Sequence, residues 1–67
     1  MQLTLKAARV NRGLTQKQAA ELLGISNVTL IKWEHGVTMP RQKSIEAICR
    51  LYGVSYDDII FLPRNQL

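Results

Sequence analysis

Apolar residues recur along this chain at intervals of three and four, the period of helices lying half against a core. Each run is bracketed by residues that start and stop helices. Leu5, Ala8 and Val10 mark the inner side of a first helix over about 4–12, with Thr4 as its cap and Gly13-Leu14 as its end. Thr15, with Gln18 three residues on, forms a T-x-x-Q capping box for a second helix. Ala19, Ala20 and Leu23 share one face of that helix, and Gly24 halts it. Ser26 caps a third helix, which Leu30 and Trp33 anchor, which runs to His35 and which Gly36 stops. Val37 to Pro40 reads as a loop, with Pro40 suited to the first turn of a fourth helix. Ile45, Ile48, Cys49 and Tyr52 give that helix an i, i+3, i+4, i+7 face, and Gly53 ends it. Ser55 and Asp58 cap a short fifth helix carrying Ile59, Ile60 and Leu62, with Asp57 and Asp58 placed favourably against its dipole. Pro63 and the polar tail Arg64–Gln66 end the order. No stretch competes with the alternation of a strand, so the pattern predicts one compact, all-α domain of five helices over 1–67.

The tightest joint lies between the second and third helices. Only Ile25 separates Gly24 from Ser26, so the two must cross rather than lie side by side. That is the geometry of a helix-turn-helix, here over about 15–35. Ala20 sits where the axes approach, and bulk there would overpack the junction.

The segment resembles the helix-turn-helix of the phage repressor and Cro (XRE-like) family. The residues that carry the likeness are Leu14-Thr15-Gln16, Ala20, Gly24, Ser26 and Trp33-Glu34-His35-Gly36, and it extends from about Leu5 to Ile60. The resemblance implies a five-helix lambda-repressor-like domain. Its function would be sequence-specific binding of double-stranded DNA by a transcriptional regulator of the repressor type.

Composition narrows the alternatives. Nine Lys and Arg against five Asp and Glu give a net charge of +4, which favours a polyanionic partner. Sixty-seven residues allow only a small core. Cys49 is the sole cysteine, so neither an intrachain disulfide nor a Cys-based zinc site can form, and the single His35 adds little toward a metal. Cys49 reads as a core thiol. No catalytic set, paired carboxylates or Gly-rich phosphate loop is present, so neither enzyme activity, a cofactor nor a small-molecule ligand is expected. No apolar run is long enough for a membrane span and no signal peptide is evident, so the expected compartment is the reducing cytoplasm.

Removing Leu30 and Trp33 from the third helix leaves Asn27, Val28, Ile31 and Lys32 on or near its outer face. Asn bonds bidentately to adenine, Lys donates to guanine, and Val or Ile packs on a thymine methyl. The resemblance places Asn27, Val28 and Lys32 at base-contacting positions; Ile31 either reads a methyl group or packs against its neighbours. Phosphate contacts are expected near the helix starts, from Thr15, Gln16 and Lys17 and from the hydroxyls of Ser26 and Thr29. Thr15 serves foremost as a cap, while Gln16 matches the family's glutamine that contacts phosphate and buttresses the recognition helix. Lys17, Arg41 and Lys43 either flank the groove as phosphate contacts or are ordinary surface charge. The resemblance also pairs Arg9 with Glu34 as a structural ion pair. His35, at a helix end, either suits the dipole there or approaches a phosphate.

One recognition helix reads only a few base pairs, so a homodimer, at least on DNA, is expected on a pseudo-palindromic operator. Tyr56, Ile60, Phe61 and Leu62 are the apolar stock for such a contact, or else complete the core, as Tyr52 does. Two rival readings remain: an antitoxin-type or partner-controlled regulator, and a protein-interaction module that uses the same fold without DNA.

Overall fold

The structure is a computed structural model and describes residues 2–61. In chain order it contains strand β1 (Leu3–Thr4), helices α1 (Leu5–Asn11), α2 (Gln16–Leu23), α3 (Asn27–Glu34) and α4 (Gln42–Tyr52), a 3-10 turn (Tyr56–Asp58) and strand β2 (Ile59–Ile60). Four helices thus replace the five expected. The segment after Ser55 makes one 3-10 turn and then extends, so Ile59 and Ile60 lie in a strand; Leu62 and the residues after it are outside the described residues. The all-α expectation is corrected as well, because β1 and β2 pair in parallel with Leu3 opposite Ile59 and Thr4 opposite Ile60. A two-residue strand has no room to display alternation, and its partner lies far along the chain. The Ser55–Asp58 pairing itself is present: the Asp58 carboxylate accepts from the Ser55 hydroxyl at 3.0 Å and its N–H at 3.3 Å. Those two bonds hold the Asp58 carboxyl below its ordinary value, the hydroxyl contributing most.

The helix starts follow the cap residues. Thr4 Oγ1 accepts from the Ala7 N–H at 3.1 Å, Thr15 and Gln18 form the reciprocal capping box, and Ser26 Oγ accepts from the Thr29 N–H at 3.0 Å. Helix α4 differs. Pro40 is buried ahead of the helix instead of lying in its first turn, and Arg41 occupies the N-cap without a side-chain cap bond. All four helices end alike: the N–H groups of Leu14, Ile25, Val37 and Val54 reach back to the carbonyls of Arg9, Ala20, Lys32 and Cys49.

At Gly24 this wrap requires φ of +72°, which places the tight turn between α2 and α3. A Cβ added there would meet nothing within 4 Å. Gly24→Ala is therefore expected to cost only the left-handed backbone penalty, ~1–2 kcal/mol. Thermal unfolding should show a drop of at least about 4 °C, with Gly24→Asn costing less; equal melting temperatures for wild type and Gly24→Ala would contradict the assignment.

The core collects Leu5, Ala8, Ala19, Ala20, Leu30, Ile48, Tyr52 and Ile59. Ala19 and Ala20 are buried in α2, where only a small side chain lets α3 approach. Val10 points outward, 55% exposed, and the inward position on α1 goes to Arg9. Leu5, Ala8 and Arg9 stand at i, i+3 and i+4, so the helical stripe runs through a charged residue that hydrophobic periodicity cannot flag. Trp33 and Cys49 are half-buried and pack on the edge of the core. Burial, and then the Asp58 carboxylate, pushes the Cys49 thiol above its ordinary value. No helix among the described residues is long and apolar enough to cross a membrane.

Candidate nucleic-acid interface

Helix α3 is fixed from behind by a buried polar knot. Arg9 Nε donates to Glu34 Oε2 at 2.7 Å, Nη2 to Oε1 at 3.3 Å, and Nη1 to the Leu14 carbonyl at 2.8 Å. Gln16 Nε2 adds a third donor to the Glu34 carboxylate at 3.1 Å. Arg9 and Glu34 are 6% and 4% exposed, so their pairing is desolvated and strongly directional. One carboxylate at the end of α3 is thereby tied to α1, to the α1–α2 connection and to the first residue of α2. Both the axial rotation of α3 and the pose of Gln16 follow from it, and one N–H of the Gln16 amide stays free to donate outward.

Tyr52 lies behind this knot. Its hydroxyl is buried and has no hydrogen-bond partner among the described residues. Burial, reinforced by the Glu34 carboxylate and opposed by the Arg9 guanidinium, pushes the phenol from 10.0 up to about 12. The neutral form is thus favoured in the fold. The associated stability is complete below pH 10 and is lost as pH rises toward 12, by about 3 kcal/mol. Tyr52→Phe should unfold at least as high as wild type at pH 7 and keep a shallower stability profile above pH 10. Parallel alkaline profiles for the two proteins would refute this.

With Leu30 and Glu34 locked inward, α3 presents Asn27, Val28 and Lys32 to solvent. Val28 is 59% exposed, so its methyl groups are open to a partner. Ile31 is half-buried, packing in part against its neighbours. Ser26 and Thr29 share a hydroxyl–hydroxyl bond of 2.8 Å. That bond consumes one of their two hydroxyl hydrogens, so one remains to donate outward. Thr15 is more committed: its N–H goes to Gln18 Oε1 at 2.9 Å, and its Oγ1 accepts the Gln18 N–H. Its backbone therefore has no donor left for a phosphate, while the first-turn N–H groups of Gln16 and Lys17 lack the preceding turn that would accept them. Lys17, Arg41, Lys43 and His35 are exposed. The structure brings Arg9, Gln16 and Glu34 together and keeps Asn27, Val28 and Lys32 on one helix.

Three arrangements emerge only in the folded chain. Arg12 Nε donates to the Leu51 carbonyl at 3.1 Å, clasping the last turn of α4. The Tyr56 and Phe61 rings stand 5.9 Å apart beside exposed Ile60. A surface cavity opens between α2, α3 and α4, lined by Leu23, Ile25, Trp33, Lys43, Ser44 and Ala47.

A sequence profile described as Helix-turn-helix matches residues 5–59. The chain is 34% identical over 56 residues to the HTH-type transcriptional activator BcrR of Enterococcus faecalis, an overlap covering 84% of this chain and 28% of BcrR. Against the antitoxin PezA of Streptococcus pneumoniae it is 36% identical over 56 residues, 84% of this chain and 35% of PezA. It is 37% identical over 66 residues to the HTH-type transcriptional regulator MJ0272 of Methanocaldococcus jannaschii, covering 98% of this chain and 100% of MJ0272. The chain thus spans about a third of the length of BcrR and PezA, and the whole of MJ0272. On the profile match and on the MJ0272 alignment, the chain belongs to the helix-turn-helix family, of the XRE type.

Proposed function

We propose that this chain is a non-enzymatic, sequence-specific double-stranded-DNA-binding transcriptional regulator, a repressor that reads the major groove with α3. The observation that carries the reading is the orientation of α3: Glu34 and Leu30 bind it to the body, and Asn27, Val28 and Lys32 face outward. These side chains supply an adenine-reading amide, a methyl-packing group and a guanine-reading ammonium. Gln16, Lys17, Ser26, Thr29, Arg41 and Lys43 hold the phosphates on either side, with Thr15 contributing through its hydroxyl. Ile31 packs at the groove edge.

The regulator acts as a dimer on an inverted repeat. The domain measures 32 × 27 × 21 Å, a size that lets two copies sit side by side on half-sites one DNA turn, ~34 Å, apart. Tyr56 and Ile60 form the contact between copies, since both are exposed and Tyr56 stacks beside half-buried Phe61.

Selection from a random duplex pool tests this directly. The expected product is an inverted repeat with half-sites one helical turn apart. Its affinity should fall steeply with salt: three cations per copy (Lys17, Arg41 and Lys43) give a dimer a slope of log K against log salt near −5. Enrichment of no sequence, together with salt-insensitive behaviour, would sink the proposal. The likeness to PezA favours a second reading, in which the same DNA-binding domain answers to a protein partner. Release of DNA by a co-expressed partner protein would select it.

A further inference from the structure

The cavity between α2, α3 and α4 has a volume of about 170 Å³ and opens to solvent. Leu23, Ile25 and Ala47 give it apolar walls, and half-buried Trp33 gives it an aromatic face. Lys43 and Ser44, in the first turn of α4, stand among its lining residues. Lys43 is exposed and forms no ion pair among the described residues, while nearby Glu46 is engaged by Gln42 instead. The space is of the order of one aromatic ring, held in an open cleft and not in an enclosed cavity. A cleft that combines apolar and aromatic walls with a cation and a hydroxyl suits an amphipathic anion.

We propose that this cavity binds a small carboxylate with an apolar body of about one aromatic ring, the ring on Trp33 and the carboxylate on Lys43 and the Ser44 hydroxyl, and that occupancy weakens DNA binding. A ring there packs against Trp33 between the apolar walls. The carboxylate satisfies a cation that otherwise serves a DNA phosphate, so ligand and phosphate compete for Lys43. The site also touches Ile25, in the turn before α3, and Trp33, within α3, so the occupant bears directly on the support of the recognition helix. The sequence pointed to no small-molecule ligand because these six residues come from three helices and one turn. The effect on DNA rests on the DNA-binding reading above; binding of the carboxylate does not.

Trp33 is the only tryptophan in the chain and lines the cavity, so in the folded, DNA-free protein its fluorescence reports on occupancy there. The probes are phenylacetate and its neutral analogue phenylacetamide, at constant ionic strength maintained with acetate. Phenylacetate should change Trp33 emission saturably, with a midpoint at or below about 1 mM, within reach of a ligand of ten heavy atoms. Phenylacetamide should bind at least ~10-fold more weakly. Ala47→Leu, which fills the cavity, should abolish saturation, and Lys43→Gln, on an exposed position that leaves the fold intact, should make the two probes equivalent. A linear, non-saturating change shared by both probes and by Ala47→Leu would overturn the site. On the selected duplex, saturating phenylacetate should lower the affinity of the wild type several-fold and leave Ala47→Leu unaffected. Saturable fluorescence with unchanged DNA affinity would overturn the competition while sparing the site. Absence of any selected duplex would count against the DNA-binding reading, with the fluorescence result unaffected.

Discussion

Arg9→Ala should cost ~3–5 kcal/mol of stability, against well under about 1.5 kcal/mol for Arg12→Ala. Both remove an arginine from the same end of α1, so charge and helix propensity nearly cancel between them. The difference lies in what each leaves behind. Without Arg9, the Glu34 carboxylate keeps only Gln16 as a donor, in a site where it is 4% exposed, and the Leu14 carbonyl loses its partner. Without Arg12, an exposed bond to the Leu51 carbonyl passes to water. A 67-residue chain has only ~3–10 kcal/mol of total stability, so Arg9→Ala should be largely unfolded well below the wild-type melting temperature. The double variant Arg9→Met with Glu34→Leu should recover most of that loss, because a buried pair often contributes little net stability over apolar side chains of similar volume. Urea titrations of Arg9→Met, Glu34→Leu and the double complete the cycle; a double variant whose loss equals the sum of the two single losses would mean that the pair carries no coupling. Recovery of the fold need not restore function. The double variant leaves Gln16 without its anchor, so DNA binding should remain weakened even where the melting temperature returns.

The same contrast shows which parts of the fold were legible in advance. Thr4, Thr15, Ser26 and Ser55 each announced a helix or turn start through local chemistry, and local chemistry survives in any tertiary context. The Gly24 turn was legible for the same reason. The β1–β2 pair was not, because its stability comes from residues more than fifty positions apart and neither strand is long enough to show a period. Val10 and Arg9 exchanged places because periodicity ranks residues by hydrophobicity, and Arg9 is buried by its partner and not by its own preference. Only the family likeness carried that pairing. On the interface, spacing sufficed to put Asn27, Val28 and Lys32 on one side of α3, since Leu30 fixed the opposite side. The commitment of the Thr15 N–H to Gln18, and the hydroxyl hydrogen left over between Ser26 and Thr29, needed coordinates. The cavity beside Trp33 needed them too, because its walls come from separate elements.

Asn27→Ala should abolish discrimination at the base pair it reads with little effect on stability, and Lys17→Ala should lower affinity without changing specificity. Asn27 is the first residue of α3 and exposed, with the cap already supplied by Ser26, so its removal disturbs no side-chain bond among the described residues. A bidentate amide–adenine contact is worth ~1–3 kcal/mol per base pair. A dimer makes it twice, so the operator should lose ~2–6 kcal/mol, roughly 30-fold to 10⁴-fold, while affinity for random duplex stays level. Lys17 lies exposed at the start of α2, the position proposed above to meet phosphate and no base edge. Lys17→Ala should weaken operator and random duplex by the same factor and make the salt slope of a dimer shallower by about 2. Measuring both variants on both duplexes at several salt concentrations separates base reading from phosphate clamping. Should Asn27→Ala weaken random duplex as much as operator, α3 would be lying along the backbone and not in the groove. Should Lys17→Ala change the preferred sequence, α2 would be the reading helix, and the orientation imposed by the Arg9–Glu34 knot would serve a different surface.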